Sequence, residues 1–336
     1  MNRRRFLALA GLTSLVGCRP KGSSPAEQRL TASDRQRIAT EAAAREEHIK
    51  MLANFSVPAD SVRTTPPRPV DVLKVFPELM PRIRVAVRLH PRASTEPGPA
   101  ESKLAGQFLW PADEPWPECE RFKIPLVPVL QLKRADAPPT VLFFPGTDLL
   151  QLLWSPRDHD GQGPKPKMVW RSLASVQGDL LSPPETTHAF PSFVPLPCRL
   201  FPEKISDLPD ATSFPDTALR TKLENWKPPQ AGTTSGLEFY QTDLSAAPGT
   251  KIGGYPRWAS VNRTPSCDTC KWGMDFLLTV DSHEWGRNLS WIPIEESKAT
   301  SKLGYATANG LTLPAPGHVH LFVCHRCTDW PVKGAS

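Results

Sequence analysis

Between Arg82 and His90, apolar Ile83, Val85, Val87 and Leu89 alternate with Arg82, Arg84, Arg88 and His90. A period of two predicts a half-buried strand. Short apolar runs bounded by turn residues predict further strands over 126–132, 141–144, 149–154, 193–200, 276–280 and 319–324. Only one long stretch has a helical period. There Ile38, Ala42, Ile49 and Leu52 recur on one face, Glu41/Arg45 and Glu46/Lys50 pair on the other, and Ser33 with Gln36 forms a capping box. An amphipathic helix over 33–55 follows, ended before Pro58, with a shorter helical turn at 71–79. The Gly/Pro/Lys-rich segment 157–167 and the segment 230–236 predict exposed loops.

Composition sharpens this pattern. With 39 prolines in 336 residues, many of them inside apolar runs, long helices are disfavoured, while ten tryptophans supply enough large apolar surface for a folded core. The class expected is therefore α+β, β-rich and loop-rich. The formal charge is +6, half of it from Arg3, Arg4 and Arg5. No Lys/Arg cluster or Arg/aromatic stripe accompanies it, so a nucleic-acid partner is not expected.

Those arginines open a leader. Arg3-Arg4-Arg5-Phe6-Leu7 resembles a twin-arginine export signal, and residues 6–16 form an apolar run too short to span a bilayer. Leu15-Val16-Gly17-Cys18 resembles a bacterial lipobox. Together they predict a signal peptide over 1–17, lipid attachment at Cys18 and a tether over 18–32, with Arg3 and Arg4 as the export determinant. The protein is then expected in the cell envelope, held on a membrane surface and exposed to the periplasm or exterior. An ordinary signal peptide with an incidental cysteine is the plainer reading.

The chain also echoes itself. Ser102-Lys103-Leu104-Ala105-Gly106, Trp110-Pro111 and the runs at 129–132 and 141–144 reappear in order as Thr250-Lys251-Ile252-Gly253-Gly254, Trp258, 276–280 and 319–323, about 148 residues on for the first of them. A duplicated antiparallel β unit would explain this, with a first half over 83–200 and a second over 237–332, and chance recurrence of such short motifs is the alternative. Lys251-Ile252-Gly253-Gly254-Tyr255-Pro256 with Trp258, together with Arg88-Leu89-His90-Pro91-Arg92 and Leu109-Trp110-Pro111-Ala112-Asp113-Glu114-Pro115-Trp116-Pro117, resembles the YwqG-like family of domains of unknown function. The resemblance covers about 70–332. It implies an α+β fold of two related β-rich halves packed as one domain, and implies no reaction. Ala105 and Phe108 depart from the glycine and proline expected of the family, and Arg287 follows Trp285-Gly286 where an acid is usual.

The remaining chemistry lies in cysteines. Cys267/Cys270 and Cys324/Cys327 are two Cys-x-x-Cys knuckles with 53 residues between them. Two such pairs suit a structural tetrahedral zinc, provided that the strands carrying them pair. Disulfides are the second reading and a redox pair the third. Cys119 and Cys198 read as buried free thiols or as a disulfide with each other.

Asp281, His283 and Glu284 could form a His/carboxylate site near His318 and His320, although an exposed strand-end cluster is the simpler reading. Asp158, His159 and Asp160 read as solvated, and most tryptophans as core, with a carbohydrate or peptide groove lined by those at 110, 116, 154, 170, 258 and 272 as the alternative. No catalytic residue is assigned. The sequence thus points to a surface-anchored binding or envelope-accessory module with a protein or envelope-polymer partner. The alternatives are an envelope hydrolase and a protective partner of a secreted toxin.

Overall fold

A computed structural model of the chain describes residues 30–53, 62–93, 96–186, 188–214, 217–228, 235–258, 261–286, 289–297 and 308–336. The leader, Cys18 and most of the tether lie outside the described residues. Among the described residues no helix is long and apolar enough to cross a membrane.

Among the described residues twelve strands form two antiparallel six-stranded sheets. In chain order they are β1 (Arg84–Arg88), β2 (Arg92–Ala93), β3 (Lys103–Leu104), β4 (Val127–Lys133), β5 (Leu149–Asp158), β6 (Pro164–Arg171), β7 (Cys198–Arg199), β8 (Glu203–Asp207), β9 (Lys251–Gly253), β10 (Asp275–Asp281), β11 (His318–Val323) and β12 (Val332–Ala335). One sheet runs β2-β7-β3-β4-β5-β6 and the other β8-β1-β9-β10-β11-β12. With few helices beside them, this is the expected β-rich α+β fold. Leu104, Val129, Leu130, Leu150 and Leu152 of the first sheet share one apolar core with Val87, Ile252, Leu278, Val280 and Leu321 of the second. Burial of that shared core, at about 25 cal/mol per Å2 of apolar surface, holds the two halves as one body.

The duplication is structural. The series β3-β4-β5-β6 and β9-β10-β11-β12 run in the same order across their sheets. Each central strand carries an irregularity at the corresponding place, between Pro128 and Leu130 in β4 and between Phe276 and Leu278 in β10. After the buried lysines Lys103 and Lys251, both chains turn through positive φ, at Ala105 (53°) and Gly106 (73°) and at Gly253 (75°) and Gly254 (70°). Ala105 therefore occupies, with its Cβ, a backbone conformation that its counterpart meets with glycine. The halves also interlock, because β1 of the first half lies inside the sheet of the second, between β8 and β9.

Several elements differ from the sequence expectation for identifiable reasons. In β1 the exposed residues include Val85, while Arg88 is buried. Flanking strands close this strand on both edges, and the Arg88 guanidinium donates to Thr65 Oγ1 (2.7 Å) and Glu284 O (2.9 Å) instead of reaching water. Residues 141–144 form no strand, and 193–200 contributes only the two-residue β7. The expected loop 157–167 is mostly hairpin: β5 continues to Asp158 and β6 begins at Pro164. Pro164 and Pro166 are tolerated because β6 is an edge strand with only β5 as a ladder partner.

The N-terminal helix α1 (Ala32–Ala53) starts with Thr31 and Asp34 as its reciprocal cap: Asp34 N donates to Thr31 Oγ1 and Thr31 N to Asp34 Oδ2, each at 3.0 Å. Its docked face is largely polar. Arg45 donates to the carbonyls of Pro191 (3.1 Å) and Gly310 (3.3 Å), while Glu41 accepts from Ser192 N and pairs with Arg37. Ile38 packs against the core, but Ile49 is exposed. Glu46 and Lys50 pair as expected, at 2.8 Å. The turn at 71–79 is realised as α2 (Val72–Val75), capped by Asp71, and a following 3-10 turn. Helices α3 (Thr217–Asn225) and α4 (Gly236–Phe239) cover a second cluster around Leu208, Leu223 and Tyr240.

Between β8 and β9 the carboxylate of Asp207 is buried against the ammonium of Lys251 at 2.8 Å and also accepts from Ala247 N and Tyr255 N. A Cβ on Gly254 would stand 2.3 Å from Asp207 Oδ2, at a φ of +70°. Gly254→Ala is therefore expected to lower unfolding free energy by about 3–5 kcal/mol, the range for disrupting a buried ion pair. Gly146→Ala has a similar positive φ (+78°) but open space around the new methyl, and should cost about 1–2 kcal/mol. Urea unfolding of both variants measures the difference.

Candidate metal centre and polar pocket

Cys267 and Cys270 lie on a tight turn before β10. In it Cys267 N donates to Trp272 O (2.8 Å), Lys271 N donates to Cys267 O (2.9 Å), and Lys271 takes a φ of 63°. Cys324 follows β11 directly, and its N donates to Pro331 O (3.0 Å) across the turn that holds Cys327. Since Asp275 at the start of β10 pairs with Val323 at the end of β11, the ladder brings both knuckles to one end of the sheet. The required pairing of their strands is thus met.

All four Sγ atoms lie within 4.8 Å of one another. The Cys267–Cys327 separation is 3.8 Å and the Cys270–Cys324 separation 3.5 Å. A tetrahedral ion with arms of about 2.3 Å needs sulfur–sulfur edges of about 3.8 Å. A disulfide needs about 2.05 Å, so the sulfurs stand at ligand spacing and all four are free thiols. The arrangement could hold a metal ion. Among the described residues it is the only set of three or more His, Cys, Asp or Glu ligand atoms so placed.

The surroundings fit that use. Cys267 and Cys324 are buried with Trp258, Met274 and Phe322, and Cys270 and Cys327 are half-buried. Hydrogen bonds from the backbone N–H groups of Cys270 and Thr269 pull the Cys267 thiol down to about 6, while burial and the neighbouring sulfurs push its partner Cys327 up to about 12, so without an ion the set favours one thiolate beside protonated thiols. Around the rim, His325 Nδ1 meets Asp275 (2.8 Å) and Lys333 meets Asp268 (2.6 Å), while Arg326 lies over the exposed Trp272 ring at 4.2 Å.

A second feature involves the His/carboxylate cluster. Asp281 and Glu284 are buried, not exposed at a strand end, because the segment after β10 folds back over β9. Glu284 is structural: it accepts from Thr250 Oγ1 (2.6 Å), Thr250 N (2.9 Å) and Asn309 Nδ2 (2.9 Å). His320 is likewise committed. Its Nε2 meets the carbonyl of Arg257 at 3.0 Å and so carries the proton, which leaves Nδ1 to accept from Thr279 Oγ1 at 2.8 Å.

Asp281, His283 and His318 instead line a cavity of about 510 Å3 with Asp210, Arg257 and Trp258. Burial pushes Asp281 up to about 7, against the hydrogen bonds it accepts from His283 N (2.8 Å) and Gly249 N (3.2 Å), and the neighbouring Glu284 charge adds to the rise. Burial, with Arg257 and His283 nearby, pushes His318 down to about 4 and keeps it neutral. Three buried polar atoms of the lining have no hydrogen-bond partner: Asp210 Oδ2, Trp258 Nε1 and His318 Nε2. Asp210 and Arg257 were not among the sequence candidates. Arg257 is the variable position of the Tyr255-Pro256-x-Trp258 stretch, and nothing in the sequence around Asp210 marks it.

Cys119 and Cys198 form no disulfide. Cys198 is buried in the main core, where desolvation drives its thiol far up, while Cys119 lies 3.6 Å from His159 Nε2 in a separate cluster. His159 is thus not simply solvated. Trp110, Trp154 and Trp258 are core residues, as expected, and Trp272 is exposed. In comparisons with known proteins, no family model matches the chain and no curated protein is significantly similar to it.

The buried groups fix a pH dependence. Asp281 has a folded pKa raised above that of the unfolded chain, so between about pH 4 and 7 the folded state holds the extra proton and Asp281 contributes progressively less stability as pH rises. His318 and His320, held neutral by burial, change in the opposite direction over part of that range. The difference between Asp281→Asn and the unsubstituted chain isolates the carboxylate. The variant should gain relative stability from pH 4 to 7 and level off above it, as read by denaturant midpoints at each pH.

Proposed function

We propose that this chain is a surface-anchored binding module of the YwqG-like family, folded around a structural zinc at Cys267, Cys270, Cys324 and Cys327, that receives a small hydroxyl-rich ligand such as a glycan fragment of an envelope polymer. The observation that carries the binding role is the 510 Å3 cavity with three unpartnered buried polar atoms. Hydroxyl groups both donate and accept, so one ligand can satisfy an acceptor at Asp210, a donor at Trp258 and either role at His318. Zinc is favoured for the cysteines by their all-sulfur donor set and tetrahedral spacing, and closed four-sulfur sites are structural. The Arg3-Arg4 leader and the Cys18 lipobox supply the surface anchor. Under that export route the metal would be loaded before translocation.

A second reading, an envelope hydrolase, is favoured by one observation. Asp281 near 7 beside neutral His318 has the proton affinity of a general acid or base at neutral pH. In that case Asp281→Asn abolishes turnover of the ligand, whereas in a pure binding module no turnover is detected and binding survives.

The purified chain should carry about one zinc with four knuckle thiols unreactive until a chelator is added, and chelation should lower its melting temperature. Sub-stoichiometric metal with no free knuckle thiols would replace zinc with disulfides. Asp210→Asn and Trp258→Phe should each weaken glycan binding in calorimetry by about tenfold, the worth of one lost buried hydrogen bond. For the anchor, Cys18→Ser should move the protein from the membrane to the soluble fraction, and Arg3→Lys with Arg4→Lys should retain the precursor in the cytoplasm.

A further inference from the structure

We propose that the pocket around Cys119 and His159 is a second metal site, open to an outside ligand, for a thiophilic d10 ion of the zinc class. The internal repeat places it. About 148 residues separate Trp110 from Trp258, Cys119 from Cys267 and Lys123 from Lys271. The turns agree in detail: Cys119 N donates to Ile124 O (2.8 Å) and Lys123 N to Cys119 O (2.8 Å), as Cys267 N and Lys271 N do in the four-cysteine centre. Lys123 also has the positive φ of its counterpart, 52° against 63°.

The strands extend the correspondence. Leu130 faces Leu152 where Leu278 faces Leu321, so counting along β5 puts Ser155 in the place of Cys324. The sulfur partner of Cys267 is Cys327, three residues beyond Cys324. The partner of Cys119 is His159, four residues beyond Ser155. The first half has therefore exchanged Cys270 for Phe122 and Cys324 for Ser155, and has kept two ligand-type groups on the remaining corners.

Those two groups have the spacing of a coordinated pair. A tetrahedral ion with a sulfur arm of about 2.3 Å and an imidazole arm of about 2.05 Å separates the two donors by about 3.5 Å. Cys119 Sγ and His159 Nε2 stand 3.6 Å apart. Cys119, His159 and Ser155 line a cavity of about 670 Å3 whose walls include Glu118, Lys165 and Trp330. Ser155 is fully buried and its Oγ has no hydrogen-bond partner; a water on the ion would supply one. In the second half four sulfurs would close the coordination sphere of an ion. In the first half two positions are left for water or an anionic ligand entering the cavity, one more than the single open position of a three-ligand zinc site, so an ion held there would exchange and not clamp. On binding, Cys119 loses its thiol proton to solvent and coordinates as thiolate, with His159 as neutral imidazole.

Cadmium alone is a suitable probe, applied to the full chain carrying Cys18→Ser so that no leader thiol competes. Equilibrium dialysis should find a weaker cadmium equivalent besides any bound by the four-cysteine centre. Cys119→Ser and His159→Ala should each weaken that equivalent at least tenfold, and His159→Cys, which restores the donor type of Cys327, should keep or strengthen it. Cadmium should also protect Cys119 from alkylation in the folded chain. The proposal is overturned if the Cys119-dependent equivalent is absent, if it survives undiminished in both loss variants, or if Cys119 is alkylated equally fast with and without cadmium, in which case the pair is a hydrogen-bonded thiol and imidazole and nothing more. Because only the equivalent lost with Cys119 is counted, failure of the zinc reading for the four cysteines leaves this result interpretable.

Discussion

Burying the Asp207 carboxylate completely obliges its neighbours to supply a cation and several donors, for an unpaired charge there would cost several kcal/mol. Lys251 supplies the cation, and the N–H groups of Ala247 and Tyr255 supply the donors. For Tyr255 N to reach the carboxylate, the chain after β9 must turn immediately, and Gly253 and Gly254 make that turn through positive φ. One side chain at the end of β8 thus fixes where β9 ends and how the next segment leaves. Because β1 lies between those two strands, the same junction secures the first half inside the sheet of the second.

The two halves solved related problems with different chemistry. Lys103, the counterpart of Lys251, is also buried, but its ammonium donates to the carbonyls of Pro97 (2.9 Å) and Gln107 (2.6 Å) and, among the described residues, forms no ion pair. The turn after it is held without an ion pair, and an alanine suffices where the second half has a glycine. The clusters beyond β3 and β9 show the same relation: Trp110, Cys119, Leu126 and Leu153 correspond to Trp258, Cys267, Met274 and Phe322. Apolar scaffold is retained at every one of these positions, and the difference lies in which polar groups were placed on it. A packed β framework tolerates such exchange at its strand ends, where side chains leave the core.

Much of this was legible from the chain alone, and what was not has a physical pattern. The central strands β4, β5, β10 and β11 carry long apolar runs because both their faces are covered, so they stand out. β6 did not, since its prolines read as loop signals, yet an edge strand can carry them. The helical period marks the helix but not its contacts: Arg45 and Glu41 bond to distant carbonyl and amide groups instead of to each other. The four cysteines could be grouped because spacing alone encodes a knuckle. Asp210, Arg257 and the Cys119–His159 pair could not, for each joins segments whose proximity comes only from sheet order. Asp281 and Glu284 looked solvent-exposed because charged residues usually are, and only the fold shows that backbone amides and Thr250 replace the water.

The four sulfurs join two places on the chain with 53 residues between them. Everything from the end of β10 to the start of β11, including Glu284 and Asn309, belongs to the closed excursion. An ion at this point would act as a cross-link, and a cleaved peptide bond within the excursion would leave two fragments fastened at the sheet end by four bonds as well as by the β10–β11 ladder. The wall of the polar cavity contributed by Asp281, His283 and His318 is rooted at the two ends of that excursion. A chain nicked there could keep both its cohesion and the residues at the base of its pocket.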